Sequence, residues 1–205
     1  MRGRFSTSKN ESLPILRYFN LPKALYLAIL RKYFNKYPVL PWIPFSAIKN
    51  LDKIIKPNWT ILEVGAGMST LWLSKKGGKV ISIEADKNWF ENLSRRIKSE
   101  GIKNIDLRYE WEAEKMSNFD EFPDLHFDLI YIDGGPRELC CLKAPPKVKK
   151  GGYIYLDNSD NEELSGNSST ILKNLVKDHP EKLIKHIDFV PGNFMINEGA
   201  LIQLI

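Results

Sequence analysis

Residues suited to holding a polar ligand crowd into one decapeptide, Ile61-Leu62-Glu63-Val64-Gly65-Ala66-Gly67-Met68-Ser69-Thr70. Gly65 permits a tight turn, and Gly67 lets a backbone approach a ligand closely. The stretch through Ala66, Ser69 and Thr70 opens a helix, whose first N–H groups are free to meet a polar or anionic group. Glu84 follows seventeen residues after Gly67, with Ala85 next to it. An acid at that distance can accept both hydroxyls of an adenosine ribose.

A second set of acids stands further on. The apolar run Phe127–Ile132 ends in Asp133-Gly134-Gly135, and Tyr153–Leu156 ends in Asp157-Asn158. Both runs read as strands, and parallel strands lie about 4.8 Å apart, so Asp133, Asp157 and Asn158 can converge. Two carboxylates and an amide oxygen make a hard donor set suited to Mg²⁺ or Ca²⁺. The same residues also read without a metal. Asp133 is then an acid facing cofactor or substrate, and the first choice as a base, while Asp157-Asn158 is a turn and helix cap. Arg137 cannot surrender a proton near neutrality, but it can bind a carboxylate or phosphate on a substrate.

The elements that must position these residues follow a regular rhythm. A basic, aromatic helix is expected over residues 22–37, then an extended stretch set by Pro38, Pro41 and Pro44 around Trp42. A second helix carries Ile48, Leu51, Ile54 and Ile55 and stops at Pro57. From Trp59 strand, loop and helix alternate. Strands are expected at Ile61–Val64, Lys79–Ile83, Ile105–Tyr109, Phe127–Ile132, Tyr153–Leu156, Leu183–Val190 and Ala200–Ile205. Helices are expected at Ser69–Lys76, Lys87–Ser99, 136–149 with a break at Pro145-Pro146, and Ser168–Lys177. This order implies an α/β fold, a Rossmann-like, doubly wound and mostly parallel seven-stranded sheet behind a helical N-terminal extension. The last link is too short for a parallel crossover, so the final strand should be antiparallel. Residues 1–58 are expected to form the extension and 59–205 the main domain.

The run Glu63–Thr70 together with Glu84 resembles the first motif, and its acidic partner, of class I S-adenosylmethionine-dependent methyltransferases. Thr70 stands where a dinucleotide-binding loop would carry its third glycine. The resemblance implies that Glu63 orders the loop and that the loop contacts the methionine part of the cofactor. It also implies that residues after the third strand, here Glu110 and Trp111, meet the adenine. The spacing of Asp133, Asp157 and Asn158 is similar to that of cation-dependent O-methyltransferases of the catechol and caffeoyl-CoA type, in which such residues bind Mg²⁺. This chain departs from that type where a lysine is expected as base, having Gly134-Gly135-Pro136-Arg137 instead. Motif-grade resemblance covers Ile61 to Ser159.

Composition narrows the class further. The 205 residues are 43% hydrophobic and 27% charged, as in a soluble globular protein. The formal charge of +5 is uneven: residues 1–58 carry +9 and the remainder −4. The basic segment reads as packing on the sheet with a partial lid role, with contact to an anionic membrane surface as a further reading. A net-acidic main domain argues against nucleic acid. Cys140 and Cys141 are adjacent and offer no disulfide framework, which fits a cytoplasmic setting. Residues 1 to about 12 should be frayed. His126, His179 and His186 match no metal spacing. The expected activity is methyl transfer to an oxygen of a small-molecule or sugar-type acceptor. An NAD(P)-dependent oxidoreductase and a non-catalytic cofactor-binding module are the alternatives.

Overall fold

A computed structural model describes residues 5–205. The chain opens with a 3₁₀ turn (Ile15–Asn20) and helices α1 (Leu21–Phe34) and α2 (Phe45–Ile54). It continues through β1 (Thr60–Val64), α3 (Met68–Ser74), β2 (Lys79–Glu84), α4 (Lys87–Ser99), β3 (Ile105–Tyr109), α5 (Ala113–Met116) and β4 (Phe127–Ile132). Helix α6 (Arg137–Lys143), β5 (Val148–Asp157), α7 (Glu162–Ser165), α8 (Ser168–Leu175), β6 (Leu183–Val190) and β7 (Asn193–Gln203) complete it.

The seven strands lie in the order β3-β2-β1-β4-β5-β7-β6. Neighbours are parallel except β7, which runs antiparallel to both β5 and β6. The central strands are apolar nearly throughout because helices cover both faces. Ile61, Leu129, Tyr131, Tyr155 and Leu201 face a cluster that includes Leu27, Ile48, Leu51 and Leu73, from α1, α2 and α3. Leu62, Val64, Ile130, Ile132 and Leu156 face a cluster built with Cys140, Cys141 and Leu172, from α6 and α8.

Several boundaries depart from the expected ones for local reasons. Helix α1 stops at Phe34 because Asn35 turns left-handed at φ 49° and its N–H bonds back to the Leu30 carbonyl. Helix α6 closes at Lys143, a 3₁₀ turn carries Pro145–Lys147, and β5 begins already at Val148. The final strand starts at Asn193 rather than Ala200. Asn197–Gly199, expected as a link, pairs with His186–Asp188 inside the hairpin that turns at Pro191-Gly192.

The start of the chain is not frayed where it is described; residues 1–4 lie outside the described residues. Ser6 bridges Ser12, the Glu11 N–H donates to the Thr7 hydroxyl at 3.0 Å, and Leu13 is buried. The Phe5 ring meets Phe189 and Phe194 edge-on at 6.1 and 5.8 Å. Aromatic packing on the β6–β7 hairpin supplies what the polar sequence does not advertise.

Candidate functional site

Strand β1 ends at Val64 and the chain turns at Gly65, whose φ of +92° lies in the region that favours glycine. The N–H groups of Asp133 and Gly134 both donate to the Val64 carbonyl at 2.9 Å. The ends of β1 and β4 are thus stitched together, and Asp133 is brought against the glycine loop.

Glu63 lies beneath this loop, fully buried. It accepts the Ser82 hydroxyl at 2.6 Å and the Thr70 hydroxyl at 2.5 Å, and Thr70 Oγ1 in turn accepts the Gly67 N–H at 2.9 Å. Thr70 is therefore a brace within the loop and does not line the cleft. Burial pushes the Glu63 carboxyl up to about 7, against the hydroxyls of Ser69, Ser82 and Thr70, which favour its charge. The second carboxylate oxygen, Oε1, is buried without a hydrogen-bond partner. From the outer side, Trp89 Nε1 donates to the Ala66 carbonyl at 2.8 Å.

Glu84 ends β2 beside the same loop. Its Oε1 accepts the Asp86 N–H at 2.7 Å. Burial raises its pKa, while backbone N–H groups of Asp86, Ala85 and Ala66 favour the charged form. An N–H of the glycine loop thus acts on the Glu84 carboxylate. A cleft of about 350 Å³ opens here, lined by Gly65, Ala66, Gly67, Ser69, Glu84 and Ala85 on the β1–β2 side. Its other side carries Asp133, Arg137, Asp157 and Asn158.

Asp133 and Asp157 form an interacting pair. Burial lifts both, to about 6 for Asp157 and well above the ordinary value for Asp133, and Arg137 opposes the rise in each. The Asn158 N–H and the Tyr155 hydroxyl, 3.3 Å from Asp157 Oδ1, stabilise charge on Asp157. The two carboxyls titrate as a coupled pair, and these two contacts favour charge on Asp157.

Asp133, Asp157 and Asn158 come together as expected, and their donor types suit a hard cation. Their surroundings do not fit a resident metal. Arg137 donates from Nη2 to the Asp133 carbonyl and stands 3.9 Å from Asp133 Oδ1, so a fixed cation already occupies the flank of the pair. Among the described residues no group of three or more His, Cys, Asp and Glu side chains gathers. Arg137 itself is turned toward Asp133, and its Nε is buried without a partner.

Glu110 and Trp111 are not brought into the cleft. The Glu110 N–H extends the β2–β3 pairing by donating to the Glu84 carbonyl at 3.0 Å, but its carboxylate accepts the N–H groups of Trp111 and Glu112. That local turn spends the carboxylate on its own backbone and leaves the Trp111 ring exposed. The histidines are scattered: His126 stacks on Phe122, His179 is exposed, and His186 is buried against Asn50. Burial pushes the Cys140 and Cys141 thiols up to about 12, which leaves them unreactive.

Sequence reasoning missed Trp42, Trp89, Met116, Asn193 and Asn197, all of which line the cleft. Trp89 packs beside Leu93 and Ile97 on the apolar side of α4, a position that reads as core in the sequence. Trp42 arrives from the proline-rich stretch, placed by the Arg31 guanidinium 4.2 Å from its ring centre. The asparagines were hidden by the misplaced start of β7.

A sheet with an antiparallel strand between the fifth and sixth parallel ones differs from the six-stranded dinucleotide-binding order. Comparison with solved structures agrees. An O-methyltransferase, so described, from Klebsiella pneumoniae superposes with a TM-score of 0.61 over 92% of this chain and 99% of that one, at 18% identity. This chain has the fold of the class I methyltransferases. A protein from Streptococcus mutans described as a methyltransferase, solved in complex with SAH, shares the fold with a TM-score of 0.56 over 80% of this chain and 100% of that one, at 13% identity. No family model matches the chain. Among curated proteins, a bifunctional 3-dehydroquinate synthase/phosphatase of Fusobacterium nucleatum is 22% identical over 76% of this chain and 24% of its own length. A protein described as ribosomal RNA small subunit methyltransferase A, from Methanosphaera stadtmanae, is 36% identical over 53% of this chain and 38% of its own length. The matched part thus spans about a quarter to two-fifths of these relatives. The described residues contain no helix long and apolar enough to cross a membrane.

Proposed function

We propose that the protein is an S-adenosylmethionine-dependent methyltransferase acting on a hydroxyl group of a small-molecule or sugar-type acceptor. The observation that carries this reading is that Glu84, the Gly65–Gly67 loop and the Asp133–Asp157 pair line a single cleft. The carboxyls of Glu84, Asp133 and Asp157 outnumber the Arg137 cation in the cleft, which suits a ligand bearing sulfonium and ammonium charges and opposes the pyrophosphate of a dinucleotide. The bound cofactor would supply an activated methyl group on a good leaving group.

The chain's residues have separable tasks. Glu84 stands ready to accept ribose hydroxyls. The loop braced by Glu63, Thr70 and Trp89 presents its backbone without needing to reorganise. The Asp133–Asp157 pair takes the proton of the acceptor hydroxyl, and a carboxylate titrating near 6 matches that task at neutral pH. Arg137 keeps the pair from retaining both protons. Because it already supplies positive charge there, no divalent cation is required in this reading.

Titration calorimetry with S-adenosylhomocysteine and with NAD⁺, each with Mg²⁺ and with EDTA, tests the proposal. Binding of S-adenosylhomocysteine alone, unchanged by EDTA, is expected. NAD⁺ binding would restore the oxidoreductase reading, binding of neither would leave a non-catalytic module, and a requirement for Mg²⁺ would revive the metal. A second reading, methylation of RNA, draws on the 36% identical relative and on the basic N-terminal segment. The acidic cleft opposes a polyanion, and methyl transfer to total RNA would favour the second reading.

A further inference from the structure

Helix α1 is apolar on two opposite sides. Ala24, Leu27 and the half-buried Arg31, spaced i, i+3, i+7, turn toward the protein. Tyr26, Ile29 and Tyr33 have the same spacing two positions on, which is about half a turn around the helix. Tyr26 is 60% and Tyr33 69% exposed. The preceding 3₁₀ turn is divided in the same way. On its inner side Tyr18 packs edge-on against Phe189 at 6.4 Å, and Asn20 donates to both oxygens of Asp188 at 2.9 and 3.1 Å. On its outer side Ile15 is 82% and Phe19 84% exposed. The segment is therefore firmly docked, yet it presents large apolar and aromatic side chains to water. A patch of that kind marks an interaction surface.

Charge identifies the partner. From Ser12 to Leu51 the chain has no Asp or Glu but carries Arg17, Lys23, Arg31, Lys32, Lys36 and Lys49. On α1, Lys32 lies on one flank of the exposed stripe and Lys23 on the other, and the Lys32 Nζ sits 5.3 Å from the Tyr33 ring centre. Two copies placed face to face would oppose cations with no carboxylate in this stretch to pair them. A bilayer with anionic headgroups satisfies both features: tyrosine and phenylalanine rings enter the interface, and lysines reach the phosphates. We propose that the outer face of the 3₁₀ turn and α1 docks on an anionic lipid surface. On the inner side of the same helix Arg31 stacks on Trp42, which lines the cleft, so the helix that docks also borders the site.

The test is flotation of the full chain with phosphatidylcholine vesicles and with vesicles containing one-quarter phosphatidylglycerol, at low and high NaCl. Binding to the anionic vesicles is expected, at least tenfold stronger than to neutral ones and falling as salt rises. The variant Y26Q/I29Q/Y33Q changes only outward side chains and should lose most of this binding while keeping the wild-type melting temperature. Absence of binding to anionic vesicles overturns the proposal. So does a dimer, seen by light scattering, that the same three substitutions dissociate.

Discussion

Gly65 and Gly134 leave no room between them for a side chain. A Cβ on Gly65 would stand 2.5 Å from the Gly134 nitrogen, and one on Gly134 would stand 2.7 Å from the Gly65 Cα. The obstruction is backbone on both sides, and Gly65 also holds φ +92°. Gly65→Ala should therefore cost about 1–3 kcal/mol of stability and weaken S-adenosylhomocysteine binding at least tenfold. Chemical denaturation and calorimetry read the two effects. A variant with unchanged affinity would show that the loop's path does not matter to the ligand.

Glu63 links the loop to pH. Its carboxyl titrates near 7 in the fold against 4.5 for an ordinary glutamate, so the folded state holds the proton more tightly than the unfolded chain. The stabilisation is complete below 4.5 and is lost as pH rises through 7. The difference is on the order of 3 kcal/mol at most. Glu63→Gln should flatten the decline in unfolding free energy between pH 5 and 8, measured in urea. Identical slopes for the two proteins would remove Glu63 as the source.

The carboxylate pair divides its labour. Asp157 is favoured as the charged member, because the Asn158 N–H and the Tyr155 hydroxyl stabilise its carboxylate. Asp157→Asn should slow methyl transfer by about 10²–10⁴-fold. Asp133→Asn, which mimics the protonated partner, should cost about tenfold or less. The wild-type rate should rise with pH through about 6. Equal losses in the two variants would mean that the pair does not hold its proton in this way.

Arg137 tunes that midpoint. Its positive charge lowers the titration of both aspartates. Arg137→Gln should move the rising limb of the pH–rate profile above 6, with the rate partly recovered at high pH. A limb that stays in place, with the rate low at every pH, would assign Arg137 to acceptor binding instead.

Trp89 should report on the cofactor, since its ring borders the cleft while its Nε1 holds the Ala66 carbonyl at 2.8 Å. Trp89→Phe removes that bond and should weaken S-adenosylhomocysteine binding by about three- to tenfold, the worth of one hydrogen bond. Tryptophan fluorescence that changes on binding in the wild type should respond less in the variant.

Local chemistry made much of this protein legible in its sequence. Apolar runs with β-branched residues, a Gly-x-Gly turn and acids at strand ends announced the parallel sheet and the loop. They also placed Glu84, Asp133, Asp157 and Asn158 on one rim, because parallel strands of one sheet end along the same edge. Tertiary contacts decided the rest. Thr70 became a brace because Glu63 lies beneath it, and Arg137 took the flank of the Asp133–Asp157 pair, for which the sequence left open readings with and without a metal. Glu110 was drawn to its own backbone. Trp42, Asn193 and Asn197 reached the cleft from the two ends of the chain. Those roles depend on distances between residues far apart in sequence, and periodicity and spacing report only on near neighbours.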